Sequence, residues 1–142
     1  MTTVAPYMTF SGTCEEAFTY YKSVFGGEML MLRFDQFGDE PGNPMSEQDK
    51  QLIAFASLDL GGPEQQLRGD DAPSFMPPLT QGNNAKVMLD VDSPAEVDRL
   101  FAALNGGHTM MGPQDTEWAE RFAMCADQFG VQWVLNFAGN KG

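Results

Sequence analysis

The sequence predicts an α+β fold of two βαβββ modules, on three observations. The order strand, helix, further strands occurs twice along the chain. The helix boundaries of the two passes match under one shift: Thr13, Glu16, Gly26 and Gly27 reappear as Ser93, Glu96, Gly106 and Gly107, each 80 positions on, the mark of an internal duplication. Finally, residues 122–126 and 131–137 are two apolar, aromatic-rich runs separated by Asp127, Gln128, Phe129 and Gly130, a spacing that suits an antiparallel hairpin. In such a fold each helix covers one face of a curved sheet, and the other faces leave a concave space that suits a small molecule. The 142 residues, 42% of them hydrophobic, fit a single domain with a real core. Module one covers about residues 4–70, a linker about 71–84 and module two about 85–138.

Taken in order, residues 5–10 read as a first strand, with Pro6 tolerable only near its start or at an edge. A helix follows at once. Thr13 and Glu16 form the S/T-x-x-E capping pattern, Cys14, Ala17, Phe18, Tyr21, Val24 and Phe25 recur at helical spacing, and Gly26 and Gly27 end the run. Residues 28–37 are a second strand candidate, and the polar stretch 38–50, with Pro41, Pro44 and two glycines, reads as a mobile loop. Residues 52–60 resume as strand, Gly61, Gly62 and Pro63 turn the chain, a short strand falls near 65–68, and 69–84 is a long Pro-bearing connection. The pattern restarts at Ala85 with a strand, a cap of Ser93, Pro94 and Glu96, and an apolar stripe of Val97, Leu100, Phe101 and Leu104. A strand from His108 and the closing hairpin complete the second module.

Charge narrows the partners. A formal net charge of −12, from 8 basic against 20 acidic residues, argues against nucleic acid and anionic membrane surfaces. No stretch approaches the roughly 20 apolar residues of a membrane span, and the first ten residues lack a basic start and a long apolar segment. A cytoplasmic protein is expected. Cys14 and Cys125 are too few for a disulfide framework and fall on a helix and a strand, as buried free thiols do. His108 is the only histidine, so no two-histidine ligand set exists within one chain, and its place just after Gly107 suits a surface or half-buried position. The acid pairs Glu15-Glu16 and Asp70-Asp71 read as solvated surface, the second within a loop.

Neither a nucleophile with its base nor a cluster of metal ligands is visible, so no catalytic residue is assigned. A binding site is assigned instead. Trp133 and Arg121 on the hairpin, Trp118 just before it and Phe55 are its core, with Met31, Arg33, Gln66 and Lys86 from other strands. A guanidinium beside aromatic faces grips a carboxylate or carbonyl while the rings cover the apolar part of a ligand. A structural ion pair from Arg121 to Asp115, Glu117 or Glu120 is the competing reading.

Residues 6–28, 90–107 and 120–137, with the D-x-F-G-x-x-W turn at Asp127 to Trp133, resemble the PhnB-like branch of the glyoxalase, bleomycin-resistance and extradiol-dioxygenase superfamily, the vicinal oxygen chelate proteins. The resemblance implies a fold of paired βαβββ modules and, commonly, dimerisation. Its metal-using members hold one divalent ion with ligands from the first and last strand of each module. Counted from the helix caps and turns, those positions fall near Pro6, Gln66, Lys86 and Val134, of which only Gln66 is a suitable donor. The expectation is a metal-free, cofactor-free homodimer that binds an unidentified small molecule, as the drug-sequestering branch does. A metal-dependent lyase or dioxygenase is the alternative. Some relatives carry the label 3-demethylubiquinone-9 3-methyltransferase-like, but this chain has no Gly-rich strand-to-helix loop for a nucleotide-type cofactor.

Overall fold

The structure, a computed structural model, describes residues 2–38, 44–62 and 64–142. The chain forms two compact units, Met1–Thr80 and Gln81–Gly142. In the first, β1 (Tyr7–Phe10), α1 (Cys14–Phe25), β2 (Met29–Arg33), a short 3₁₀ turn (Phe34–Gln36), α2 (Glu47–Lys50), β3 (Ile53–Asp59) and β4 (Gln66–Asp71) follow in order. The second has β5 (Val87–Asp90), α3 (Pro94–Leu104), β6 (His108–Gln114), β7 (Arg121–Ala126) and β8 (Gln132–Phe137). The first sheet has the order β1-β4-β3-β2 and the second β5-β8-β7-β6. In each, the first strand of the unit lies parallel to the last and the other pairs are antiparallel. Two copies of one βαβββ topology are therefore present, as the sequence predicts.

Each helix buries a single stripe. α1 turns Cys14, Ala17, Phe18, Tyr21 and Val24 inward, and α3 does the same with Val97, Leu100 and Leu104. Full burial of a large apolar side chain contributes about 1.5–3 kcal/mol, so these stripes fasten each helix to its sheet. Phe10 of β1 meets Phe18 edge-on with ring centroids 6.3 Å apart. A Cβ added at Gly69 of β4 would collide first with the Met8 carbonyl of β1 and would also stand 3.0 Å from Phe18 Cε1, so glycine there admits both the neighbouring strand and the helix.

The start of α1 differs from the expected capping box. Thr13 makes no side-chain cap. The acceptor comes instead from β4, where Asp71 Oδ1 takes the backbone N–H groups of Gly12 at 3.0 Å and Cys14 at 2.9 Å, while Oδ2 takes that of Ile53 at 3.0 Å. Asp71 is thus buried in a strand that runs three residues beyond its expected end, and is not part of a solvated loop pair. Glu15 is likewise engaged, accepting from Arg33 Nη2 at 2.6 Å. At α3 the expected Ser93 cap is present, its hydroxyl accepting from Glu96 N at 3.1 Å, but the Glu96 carboxylate turns to Arg99 instead of completing the box.

Two further boundaries move. β2 ends at Arg33 and passes into the 3₁₀ turn. Of the expected mobile loop 38–50, residues 39–43 lie outside the described residues, and Glu47–Lys50 is a helical turn capped by Ser46. Its Asp49 is buried and accepts from Ser74 N at 3.1 Å and Ser74 Oγ at 2.5 Å, which ties the segment after β4 back to α2. The closing hairpin has its turn where the sequence places it: Gly130 N donates to Asp127 O and Asp127 N to Val131 O. Among the described residues no helix is long and apolar enough to cross a membrane.

Candidate functional site

A strand sends alternate side chains to opposite faces, so the helix contacts and the strand register together define the face each helix leaves open. In the first unit Phe10, Leu67, Gly69, Asp71 and Ala56 face α1. The open face therefore carries Tyr7, Thr9, Gln66, Arg68, Asp70, Phe55 and Ser57. Tyr7 pairs with Arg68, and Arg68 with Ser57; Thr9 pairs with Asp70, and one further step of the same antiparallel register puts Phe55 beside Asp70. Tyr7 and Phe55 are tilted neighbours at 6.3 Å. Gln66 receives from Arg68 Nε at 2.9 Å and donates to Asp59 at 2.5 Å. Half of Tyr7 is open to solvent, yet the desolvation of its phenol, then hydrogen bonding to Asp70 and the charge of Asp70, push its pKa up to about 12. The phenol stays a proton donor. Asp70 Oδ1 is buried and has no hydrogen-bond partner.

In the second unit Cys125 Sγ donates to the Leu104 carbonyl at 3.4 Å and Arg121 Nε to Asp98 Oδ1 at 2.7 Å, both on α3 or its end. Arg121, Ala123 and Cys125, and their register partners Phe137, Leu135 and Trp133, are on the helix side. The open face carries two rows. One runs Asp90, Asn136, Phe122; the other runs Met88, Val134, Met124. Trp118 meets Phe122 edge-on at 5.3 Å and is half exposed. Asn136 Nδ2 donates to Asp90 Oδ1 at 2.8 Å, whereas Asn136 Oδ1, in a residue only 7% exposed, has no partner. The rows of the two units correspond, with Asp70 and Phe55 standing in the first where Asn136 and Phe122 stand in the second.

The eight residues named from sequence divide between the two faces. Phe55 and Gln66 are on the open face of the first sheet, and Trp118 lies against an open-face ring of the second. Met31 has the parity of the helix side, as the register partner of Ala56, and Arg33 is bound to Glu15 of α1. Arg121 is paired with Asp98, a partner outside the three carboxylates anticipated. Trp133 is fully buried and its indole N–H donates to Asp127 Oδ2 at 2.9 Å. Lys86 sits just before β5 and donates to the Asn83 carbonyl at 3.0 Å. Sequence reasoning missed Tyr7, Arg68, Asp70, Asp90, Phe122 and Asn136. Strand alternation could have found them once one inward residue per strand was known.

The superfamily's metal is a poor fit to this donor set. Pro6 and Val134 offer no donor, the Lys86 ammonium is committed to Asn83, and the Gln66 amide is committed to Asp59 and Arg68. Among the described residues no three His, Cys, Asp or Glu side chains assemble as a metal site. His108 is exposed at the start of β6. The thiols are equally quiet: burial first, and the charge of Asp127 next, push Cys125 up to about 11, and burial followed by Asp71, Asp70 and Glu15 raises Cys14 further.

Paired βαβββ units with open sheet faces define the class of protein, that of the glyoxalase, bleomycin-resistance and dioxygenase fold. Within it, residues 2–136 match the family described as 3-demethylubiquinone-9 3-methyltransferase, and the chain belongs to that family, the PhnB-like branch of the superfamily. Protein PA1353 from Pseudomonas aeruginosa has 34% sequence identity to it, with 96% of this chain and 98% of that one covered and a TM-score of 0.82. Protein YjdN of Escherichia coli is 28% identical over 94% of this chain and 93% of its own length. The fold is shared with the PhnB protein from Bacillus cereus, a putative 3-demethylubiquinone-9 3-methyltransferase, at 24% identity, coverage of 95% and 98%, and a TM-score of 0.72. The methyltransferase wording belongs to the family description. In this chain the strand-to-helix turns, residues 11–13 and 91–93, contain a single glycine, Gly12.

Proposed function

We propose that the protein is a metal-free binder of a small, partly aromatic or apolar molecule, held on the open sheet faces, and that it acts as a homodimer in the cytoplasm. One observation carries the binding reading: in both units the open face sets a buried oxygen without a donor, Asp70 Oδ1 or Asn136 Oδ1, beside a phenyl ring, Phe55 or Phe122. A buried acceptor left unpaired costs about 1–3 kcal/mol, and a ligand donor offsets that cost while the rings cover its apolar part. In the first unit this reading takes Phe55 and Gln66 from the residues named by sequence and adds Tyr7 and Arg68; in the second, by itself, it takes Trp118 and adds Phe122. The dimer reading rests on the edge strands of two four-stranded sheets, β1 and β2 in one and β5 and β6 in the other, since edge strands are commonly covered by pairing between chains.

A thermal-shift screen against a library of small aromatic acids, amines and neutral compounds tests the binding reading. At least one compound should raise the melting temperature in a concentration-dependent way, and Phe55→Ala or Phe122→Ala should reduce the shift. Elemental analysis of protein purified without chelator should find under about 0.2 divalent ion per chain, with no change of melting temperature in EDTA. A stoichiometric transition metal would replace this reading by a metalloenzyme. Sedimentation at micromolar concentration should return twice the chain mass; a monomer would remove the dimer.

A further inference from the structure

The open face of the second sheet limits what its ligand can be. Asp90 of β5, Asn136 of β8 and Phe122 of β7 are register partners in one row, so a carboxylate, an amide and a phenyl ring stand side by side, with the Trp118 ring edge-on to Phe122. The amide orientation is fixed, because Asn136 Nδ2 donates to Asp90 Oδ1 at 2.8 Å. That bond leaves Asn136 Oδ1 as an acceptor, buried in a residue 7% exposed and lacking any donor. Asp90 itself is an exposed residue. The row thus holds a carboxylate and, beside it, an amide oxygen without a protein donor, and the next row supplies Met88 and Met124.

We propose that this row, Asp90, Asn136, Phe122 and Trp118, binds the ammonium group of a primary amine that carries an aromatic or apolar body. An ammonium has three donors and no acceptor, which matches an amide oxygen that lacks a donor beside a carboxylate, and a cation above or beside an aromatic face is attracted by the ring quadrupole. A carboxylate ligand would meet Asp90 as a like charge. A neutral hydroxyl would satisfy one acceptor and gain nothing from the charge. The chain's formal charge of −12 favours a cation over an anion at longer range as well. Met88, half exposed, and Met124 offer the adaptable apolar surface on which the body of the molecule rests. This assignment rests on the open-face reading above and names the chemical class of its ligand in the second unit.

The probes are 2-phenylethylamine, 2-phenylethanol and phenylacetate, titrated into the whole protein by calorimetry, with backbone amide NMR shifts to locate the contact. The amine should bind saturably at least tenfold more tightly than either other probe, with shifts centred on residues 88–90, 118–124 and 134–136. Asp90→Asn should abolish the preference for amine over alcohol while leaving the melting temperature of the free protein in place, and Trp118→Ala should weaken the amine several-fold. Equal binding of amine and alcohol on this face overturns the amine assignment and leaves the open-face binding reading standing. Persistence of the preference in Asp90→Asn overturns it too. Shifts confined to other residues, or no binding by the amine, overturn the amine assignment; failure of every compound in the thermal screen removes the broader reading with it.

Discussion

Phe10 and Asp90 stand 80 positions apart at the ends of corresponding first strands, yet they face opposite sides of their sheets. The Phe10 ring packs on Phe18 of α1, whereas Asp90 accepts from Asn136 on the face away from α3. The helices keep the 80-residue shift, Cys14 matching Pro94, while the strand before them slips by one residue in side-chain parity. Phe10→Ala should therefore cost about 3–5 kcal/mol of stability as a core truncation. Asp90→Asn should cost under about 0.5 kcal/mol. Urea unfolding of both variants reads the contrast, and similar losses would place Asp90 in the core.

Asp71 holds the start of α1 with three backbone N–H groups, from Gly12, Cys14 and Ile53. Asp71→Ala strands the N–H groups of Cys14 and Ile53 in a buried setting, at about 1–3 kcal/mol each, so a loss of at least about 2 kcal/mol is expected. Thr13→Ala removes a hydroxyl that makes no cap and should change stability by less than about 0.5 kcal/mol. If Thr13→Ala proves the costlier change, helix α1 is capped by its own residue after all.

The Asp49 carboxyl is held below its ordinary range chiefly by the Ser74 hydroxyl and next by the Ser74 backbone N–H. A depressed folded-state pKa gives stability that is present above the unfolded pKa and is lost as pH falls through the folded one. The difference in melting temperature between the wild type and Asp49→Asn should accordingly be largest at about pH 6 and shrink toward about pH 3. A difference that grows on acidification contradicts the assignment.

With Cys125 pushed up to about 11 and Cys14 raised too, neither thiol carries appreciable thiolate at about pH 8, roughly one part in a thousand for Cys125. Both are fully buried. A disulfide reagent such as DTNB should leave the native protein unmodified over hours and titrate two thiols in denaturant. Prompt reaction of one thiol in the native state would mark a local opening around it.

Arg121→Ala should lower stability by under about 1 kcal/mol, because its pair with Asp98 is partly exposed on both sides. A compound that binds the open face of the second sheet should keep its affinity in this variant within about twofold. A tenfold loss would draw Arg121 into the site.

The fold was legible because its signals are local: caps, double glycines and an apolar hairpin repeat at fixed spacing. The binding face was much less so. A helix stripe announces its buried side within one turn, but a short strand apolar on both faces, such as residues 131–137, leaves its parity open. Trp133 reads as a wall of a site from its size, and it is a core residue because odd positions of β8 face α3. Asp71 escaped for another reason: nothing near it in sequence reveals the N–H groups of Gly12, Cys14 and Ile53, which other elements bring to it.

Trp133 is sealed against Asp127 while Trp118 stands half in water, and both lie in residues 81–142; all three tyrosines, Tyr7, Tyr20 and Tyr21, lie in residues 1–80. Nature has thereby labelled the two halves with different chromophores. Indole emission follows the second half alone, and its blue and red components separate a buried reporter from a wet one. The tyrosine bands, separated from the overlapping indole absorbance by second-derivative spectroscopy, follow the first. Recorded together through one denaturant titration, the two signals measure whether the halves melt as one cooperative body, with no label added and no residue changed.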